Sequence, residues 1–314
     1  MLSATRGTAA PACGPVYDNA HAHAHAHAHA HAHAHAHAHA QRIGRAAIAA
    51  LYDELALAPK PGLVSFVDSG SHTDMDATTF MRSLFALRHY FARIALLGAA
   101  GAPFRDLEAL GIAAEARMLA ATGGVNTHRG AVFTLGLLCA AAGEGDRLTA
   151  AHMRERLMRC WGDALRARQR RAADSKGHRA ANSNGRRAAD AHGLRSVADE
   201  AALGFPGVFE HAVPALARAR ALGLNDRSAR LQTLFEIVAV LDDTNLAHRG
   251  GLAGLRFAQA QARAFVEAGG AARPEALAHA QAIHRAFVAR RLSPGGAADV
   301  LAAAGLVERV CPGP

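Results

Sequence analysis

Residues 41–62 read Gln41-Arg42-Ile43-Gly44-Arg45-Ala46-Ala47-Ile48-Ala49-Ala50-Leu51-Tyr52-Asp53-Glu54-Leu55-Ala56-Leu57-Ala58-Pro59-Lys60-Pro61-Gly62. Ile43, Ala47, Leu51 and Leu55 recur at helical spacing, which makes 42–57 an amphipathic helix. Two prolines and a glycine end it. A polar loop follows from Ser65 to Asp76, and Phe80, Leu84, Leu87, Phe91 and Ile94 then mark a second long helix to about 98. The same period predicts helices at 104–121, 127–142, 149–170, 197–221, 228–241, 250–268, 272–291 and 296–308. Strands do not alternate with helices, and no G-x-G-x-x-G follows a strand, so a Rossmann or P-loop reading has little support. The expected fold is all-α, a single compact multi-helix domain over 41–314 with a central polar cleft.

Composition agrees. Of 314 residues 51% are hydrophobic but only 5% aromatic, so the core is built from Ala, Leu, Val and Ile, which suits close-packed helices. Lys and Arg outnumber Asp and Glu by 35 to 26, giving a formal charge of +9. Such a balance fits an anionic partner, and it also fits a genome that favours Arg and Ala codons. Cys13, Cys139, Cys160 and Cys311 are scattered without a C-x-x-C pair, which points away from a zinc knuckle and towards a reducing cytoplasm. Cys139 sits in an apolar run and reads as a small core residue. No signal pattern and no uncharged apolar run of about 18 residues occurs, so no membrane span is expected.

Residues 1–40 stand apart. Positions 21–40 are ten His-Ala repeats holding half of the 20 histidines, a tract without apolar periodicity. They read as a disordered low-complexity extension whose imidazoles bind nickel or zinc adventitiously. The stretch 166–195, rich in Arg, Asn, Ser and Gly, reads as a basic exposed loop, either a solvated linker or an anion-binding flap.

Two short segments nearly repeat: Asn126-Thr127-His128-Arg129-Gly130 and Asn245-Leu246-Ala247-His248-Arg249-Gly250, the latter preceded by Asp242-Asp243. Polar groups embedded in apolar helical sequence need partners. Asn126, His128 and Arg129 precede an apolar helix, whose N-terminal N–H groups favour an anion and where Arg129 adds charge-assisted bonds to phosphate oxygens. The ordinary alternative is a capped helix with an exposed Arg. Asp242 and Asp243 are read at the C-terminal end of an apolar helix, where the dipole disfavours them. Arg249, a salt bridge or a metal has to compensate. Asp74 and Asp76 form Asp-x-Asp on a loop entering a helix, suited to Mg²⁺ or simply to capping. Lys60, held between two prolines, is either a phosphate contact or a plain exposed lysine.

Taken in order, Pro59-Lys60-Pro61-Gly62-Leu63-Val64, Asp68, Gly70-Ser71-His72-Thr73-Asp74-Met75-Asp76, Gly124–Phe133, Gly204-Phe205-Pro206, Asp243-Thr244-Asn245 with His248-Arg249-Gly250-Gly251, and Ser293–Asp299 resemble the triphosphoribosyl-dephospho-coenzyme A synthases. The resemblance runs from about residue 45 to 305 and leaves residues 1–40 outside. Leu63–Asp68 and Phe80–Arg88 look closest to the branch serving malonate decarboxylase, with citrate lyase as the alternative. One departure is Ser196-Val197-Ala198-Asp199-Glu200, where a Gly-Ala-Arg-Gly-Glu-like run is expected: Glu200 matches, Ala198 replaces the arginine, and Arg195 is a substitute.

The resemblance implies a transferase that makes 2′-(5″-triphosphoribosyl)-3′-dephospho-CoA from ATP and 3′-dephospho-CoA and frees adenine. Its product goes to a downstream transfer enzyme and the acyl-carrier subunit of the decarboxylase. An oxocarbenium-like transition state wants carboxylates, the attacking hydroxyl a base and the departing adenine a donor. Asp74, Asp76, Asp242 and Asp243 are therefore candidates for Mg²⁺ binding or cation stabilisation, with one of them or His72 as base. Lys60, Arg129 and Arg249 hold the triphosphate. Asn126, His128, Asn245 and His248 orient ribose or metal-bound water, and Glu200 belongs to the substrate-binding set. Two other classes compete: a Mg²⁺-dependent ADP-ribosyl or nucleotide hydrolase using the same carboxylates, and a basic helical nucleic-acid binder, which the low aromatic content disfavours.

Overall fold

Small side chains let helix axes come close, and a chain this rich in alanine builds its core that way. The computed structural model describes residues 17–145, 148–174, 189 and 191–311. Among the described residues there is no strand. They form α1 (Tyr17–Ala56), α2 (Ala77–Leu87), α3 (Tyr90–Ala99), α4 (Phe104–Ala121), α5 (Arg129–Ala142) and α6 (Ala150–Asp174). After these come α7 (Val197–Ala202), α8 (Val213–Ala221), α9 (Asp226–Val240), α10 (Thr244–Glu267), α11 (Ala276–Ala289) and α12 (Gly295–Val310). A π-helical turn, Gly207–Ala212, leads into α8, and a 3₁₀ turn, Gly270–Ala272, lies between α10 and α11. The all-α class and the single domain read from periodicity are what the structure shows. No described helix is long and apolar enough to cross a membrane.

The core has two clusters joined by one helix. Phe91, Leu135, Leu138, Met153 and Trp161 belong to the cluster of α1–α6. Leu231, Phe235, Phe265 and Phe287 belong to that of α8–α11, where the Phe235 and Phe265 rings stack at 3.8 Å. Helix α12 serves both: Ala303 and Leu306 face the first cluster, Leu301 and Ala304 the second. Cys139 is buried in the first, as its apolar run suggests.

Close approach is tightest between α3 and α5. A Cβ on Gly98 would lie 2.0 Å from the Ala140 carbonyl oxygen. Helix ends leave carbonyls without intrahelical partners, and the buried Arg156 guanidinium closes both ends here. It donates to the carbonyls of Gly98 at 2.7 Å and Ala141 at 2.9 Å.

Several expected elements are re-cut. The helix predicted to reach 98 is two, α2 and α3, joined by Arg88 and His89. The helix predicted over 197–221 breaks after Ala202, because Gly204 and Phe205 take positive φ (75° and 51°) ahead of Pro206. Helix α6 runs to Asp174, so the start of the stretch read as a basic loop is helical. Residues 175–188 and 190 of that stretch, and 1–16 of the N-terminal extension, lie outside the described residues. Helix α1 crosses the boundary expected at residue 40; alternate alanines favour helix, and Ala40 is already buried.

The Gly98 contact sets a stability test. Gly98→Ala forces α3 from α5 and should destabilise by about 1–3 kcal/mol, overpacking outweighing alanine's helix preference. Gly111→Ala, whose Cβ meets only the Tyr90 hydroxyl at 3.5 Å, should stabilise by about 0.5–1 kcal/mol. Urea unfolding of both variants measures the contrast, and equal midpoints would contradict it.

Candidate active site

The loop after α1 is held from below. Gly62 has φ 66° and packs so tightly that a Cβ would lie 2.0 Å from the Leu292 carbonyl oxygen. Ser71 Oγ donates to that same oxygen at 2.6 Å. His284 touches the loop at three points, through Nδ1 2.9 Å from the Lys60 carbonyl and 3.3 Å from the Gly62 nitrogen, and through Nε2 3.3 Å from Asp68 Oδ2. Pinned this way, Lys60 is not an exposed lysine. It is 2% exposed, and its Nζ donates to Glu54 Oε1 of α1 at 2.5 Å. Burial pulls its pKa down, opposed by Glu54.

The first near-repeat starts α5. Asn126 Oδ1 accepts the Arg129 N–H at 3.1 Å, so Asn126 supplies the cap while His128 holds the N-cap position. The Arg129 Nε donates to Glu115 of α4 at 2.5 Å. His128 is 3% exposed, with Nδ1 2.7 Å from Ser83 Oγ and its ring edge-on to Phe80. Burial pushes its pKa down to about 3, with Lys60 adding to the shift. Its Nε2 and the Thr127 hydroxyl are buried without a hydrogen-bond partner.

The second near-repeat differs in local structure. Helix α9 ends at Val240, and Asp243 is the N-cap of α10, so His248-Arg249-Gly250 lies one turn inside a helix. The expectation of carboxylates at a helix C-terminus is thereby corrected: Asp243 sits at the positive end of a helix dipole. Asp243 Oδ1 accepts from Asn245 N at 2.9 Å and Leu246 N at 3.2 Å, and Oδ2 from Ala297 N at 2.9 Å at the start of α12. The Gly296 N–H contributes as well. Burial still raises the Asp243 pKa against these donors. Arg249 donates to the carbonyls of Ser71 and Arg291 and, at 3.0 Å, to His72 Nδ1. Arg249 is a donor only, so His72 carries its proton on Nε2 and gives it to Ser293 Oγ at 2.9 Å. Burial, then Arg249, lowers the His72 pKa to about 4.

These pieces surround one cavity of about 890 Å³. Its wall includes Lys60, His72, Asp74, Asn126, His128 and Arg129 from the first half of the chain. From the second half it includes Glu200, Asp242, Asp243, Asn245, His248 and Arg249. Both near-repeats and the loop before α2 thus meet, and the N-termini of α5, α10 and α12 open onto the same space. Glu200 accepts from Gly207 N at 2.9 Å and pairs with Arg195 at 3.3 Å. Arg195 lies on the wall beside Ala198 and reaches to 4.0 Å from Asp242.

Asp76 is the exception. It is exposed, lies off the cavity wall, and closes a capping box with Thr79 at the start of α2. The Thr79 N–H holds its pKa low. It is a cap, not a cavity carboxylate. Glu54 and Asp299 are wall residues outside the expected site set, although Asp299 closes the Ser293–Asp299 motif. Each left a trace: Glu54 stands one turn after Leu51 on the apolar face of α1, and Asp299 is the first carboxylate in a helix otherwise apolar until Glu308.

A resident metal centre does not fit the expected set Asp74, Asp76, Asp242 and Asp243. The acceptor sites of Asp243 are taken by backbone N–H groups, and Asp76 is spent on Thr79. Among the described residues no three His, Cys, Asp or Glu side chains are placed to hold a metal ion.

The family described as ATP:dephospho-CoA triphosphoribosyl transferase matches residues 40–312. A probable 2-(5″-triphosphoribosyl)-3′-dephosphocoenzyme-A synthase of Azotobacter vinelandii is 40% identical over 278 residues, covering 87% of this chain and 92% of that protein. A 2-(5″-triphosphoribosyl)-3′-dephosphocoenzyme-A synthase of Pectobacterium atrosepticum is 39% identical over 266 residues, 81% of this chain and 84% of its own. No solved structure matches significantly. A family matched across nearly the whole helical body, with relatives this similar over most of their length, shows that the chain belongs to the ATP:dephospho-CoA triphosphoribosyl transferases and is an enzyme of the transferase class.

Proposed function

We propose that this chain moves the triphosphoribosyl group of ATP onto the 2′-hydroxyl of 3′-dephospho-CoA and releases adenine. The product serves the acyl-carrier subunit of malonate decarboxylase, through a downstream transfer enzyme. The observation that carries the reading is the meeting of three helix N-termini, Arg129 and Arg249 with the carboxylates of Asp242 and Asp74 on one wall. Helix starts and guanidinium groups receive phosphates, and carboxylates face a developing ribosyl cation. Leu63–Asp68 and Phe80–Arg88 support the malonate branch, and Leu63, Val64 and Phe80 stand on the cavity wall.

Roles follow from what each group has left to offer. The terminal nitrogens of Arg129 remain for a phosphate, since its Nε is on Glu115. Arg249 shapes the mouth by tying the loop at Ser71 to Arg291. Asp242, half-buried with Arg195 as its ion-pair partner, takes the hydroxyl proton in this reading. Asp243 orients the starts of α10 and α12. Asn245 and His248 lie exposed on the wall, where they meet ribose hydroxyls. Magnesium enters bound to the triphosphate as part of the substrate, with Asp74 as its carboxylate contact. A reducing cytoplasm suits the free thiols Cys139, Cys160 and Cys311.

Mass spectrometry of the purified protein with ATP, 3′-dephospho-CoA and Mg²⁺ tests the reaction. Free adenine and an adduct heavier by one triphosphoribosyl unit are expected. Adenine without adduct would make the chain a hydrolase, and no adenine from folded protein would end the reading. The branch is tested by deleting the gene in its own organism and weighing acyl-carrier subunits. The malonate decarboxylase subunit should lose its prosthetic group, and loss confined to a citrate lyase subunit would reverse the assignment.

The neutral histidines set a pH dependence of stability. An unfolded histidine takes its proton near 6.5, while His72 and His128 in the fold resist it until about 4 and about 3. Acid therefore protonates the unfolded chain first. The contribution is whole above the unfolded value and lost as pH falls towards the folded ones. Urea midpoints should drop between about pH 7 and about pH 5, and less so in His128→Gln. Asp243 and Asp299, raised by burial, act in the opposite sense, so the difference between the two proteins is the test, and equal slopes would contradict the His128 assignment.

A further inference from the structure

We propose that Asp299 is the acid that delivers a proton to the adenine ring as the glycosidic bond of ATP breaks, a role that rests on the transfer reaction above. Asp299 stands in the second turn of α12 on the cavity wall, with its carboxylate pressed against the start of α5. A Cβ on Gly130 would lie 2.0 Å from Asp299 Oδ2, so that residue must be a glycine for the carboxyl to sit there.

The charges acting on Asp299 are two other carboxylates, Glu54 from α1 and Asp243 from the cap of α10. Only the Ala131 N–H favours its ionised form, and no cation is among the groups that shift it. Neighbouring carboxylates in a desolvated site do not all ionise. Burial, Glu54 and Asp243 accordingly hold the Asp299 pKa well above the usual carboxylate range. The other two carboxylates are provided for: Glu54 by Lys60, Asp243 by its backbone donors. Asp299 is the one left to keep a proton.

Other donors on the wall are poorly suited. His72 and His128 are neutral at working pH, and Lys60 is committed to Glu54. A second observation marks this part of the wall as facing a ligand. His128, two residues from Gly130 and 3% exposed, has an Nε2 with no partner in the protein, as does the Thr127 hydroxyl. A purine ring, with acceptor nitrogens and an exocyclic amine, supplies both kinds of partner.

The step balances as follows. The C1′–N9 bond of ATP breaks and its electron pair goes to adenine, while the Asp299 proton goes to a ring nitrogen of that adenine. The bond from C1′ to the 2′-oxygen of 3′-dephospho-CoA forms. The hydroxyl proton leaves to a cavity carboxylate, so one proton is taken up and one released per turnover.

The test compares two substrates, ATP and an ATP methylated on adenine N7, whose base already carries the positive charge that protonation supplies. Asp299→Asn keeps shape and removes the acid. With ATP its kcat should fall about 10²–10⁴-fold, and with the methylated substrate it should stay within about threefold of the unaltered enzyme. Equal losses on both substrates, or a preserved rate with ATP, would overturn the proposal. Asp299→Ser is the second variant if circular dichroism shows the first misfolded, with the same expectation. The unaltered enzyme runs alongside: if it forms no adduct from ATP, the transfer reaction fails and its acid with it, an outcome distinct from a variant that is merely as fast.

Discussion

A carboxylate taken out of water has to be surrounded by donors, and Asp243 draws its donors from two helices at once. Its oxygens accept the first N–H groups of α10 and those of Gly296 and Ala297 in α12. The two helices are far apart in sequence, and α12 is also the helix that both core clusters share. One side chain therefore fixes where α10 begins, where α12 begins and how the halves of the molecule meet. The cavity lies at this junction, with the dipoles of both helices and of α5 aimed into it. Small residues make the junction close enough: a Cβ on Gly296 would stand 3.1 Å from Asp243 Oδ2, and one on Gly295 3.0 Å from Asn245 Nδ2.

Around that point the wall holds more charge than a core tolerates without pairing, and nearly every charge has its counterpart. Lys60 is on Glu54, Arg129 on Glu115, Arg195 on Glu200. Arg249 is occupied by backbone carbonyls and His72. Breaking a buried pair by removing one partner is costly, so the wall is preset in the absence of substrate. A polyanion arriving in it gains donors from helix starts and from the free ends of guanidinium groups. Groups without an internal partner, His128 Nε2 and the Thr127 hydroxyl, lie where two polar substrates would meet.

The helices were legible because apolar spacing is local: residues 104–121 are a helix at the expected bounds. Where reading went astray, a local rule competed with a distant contact. Residues 197–221 keep a helical period, yet Gly204-Phe205-Pro206 turns the chain so that Phe205 is buried near Phe133 of α5. Asp-x-Asp looked like one feature, but Asp74 borders the cavity and Asp76 caps α2. The near-repeats look alike in sequence and differ in structure, because Asn126 caps its own helix while Asp243 takes over that task ahead of Asn245.

The sequence by itself determined the helical class, the core composition and the set of polar residues that apolar surroundings force to find partners. Apolar period, proline and glycine breaks, and isolated charges are all properties of neighbours in the chain. Only the tertiary structure decided which partners those residues take. The double cap on Asp243 joins it to a helix start 54 residues away, and Asp299 meets Glu54 and Gly130 from the other half of the chain. Burial and electrostatic neighbourhood, which set protonation and hence chemistry, exist only once those segments have met.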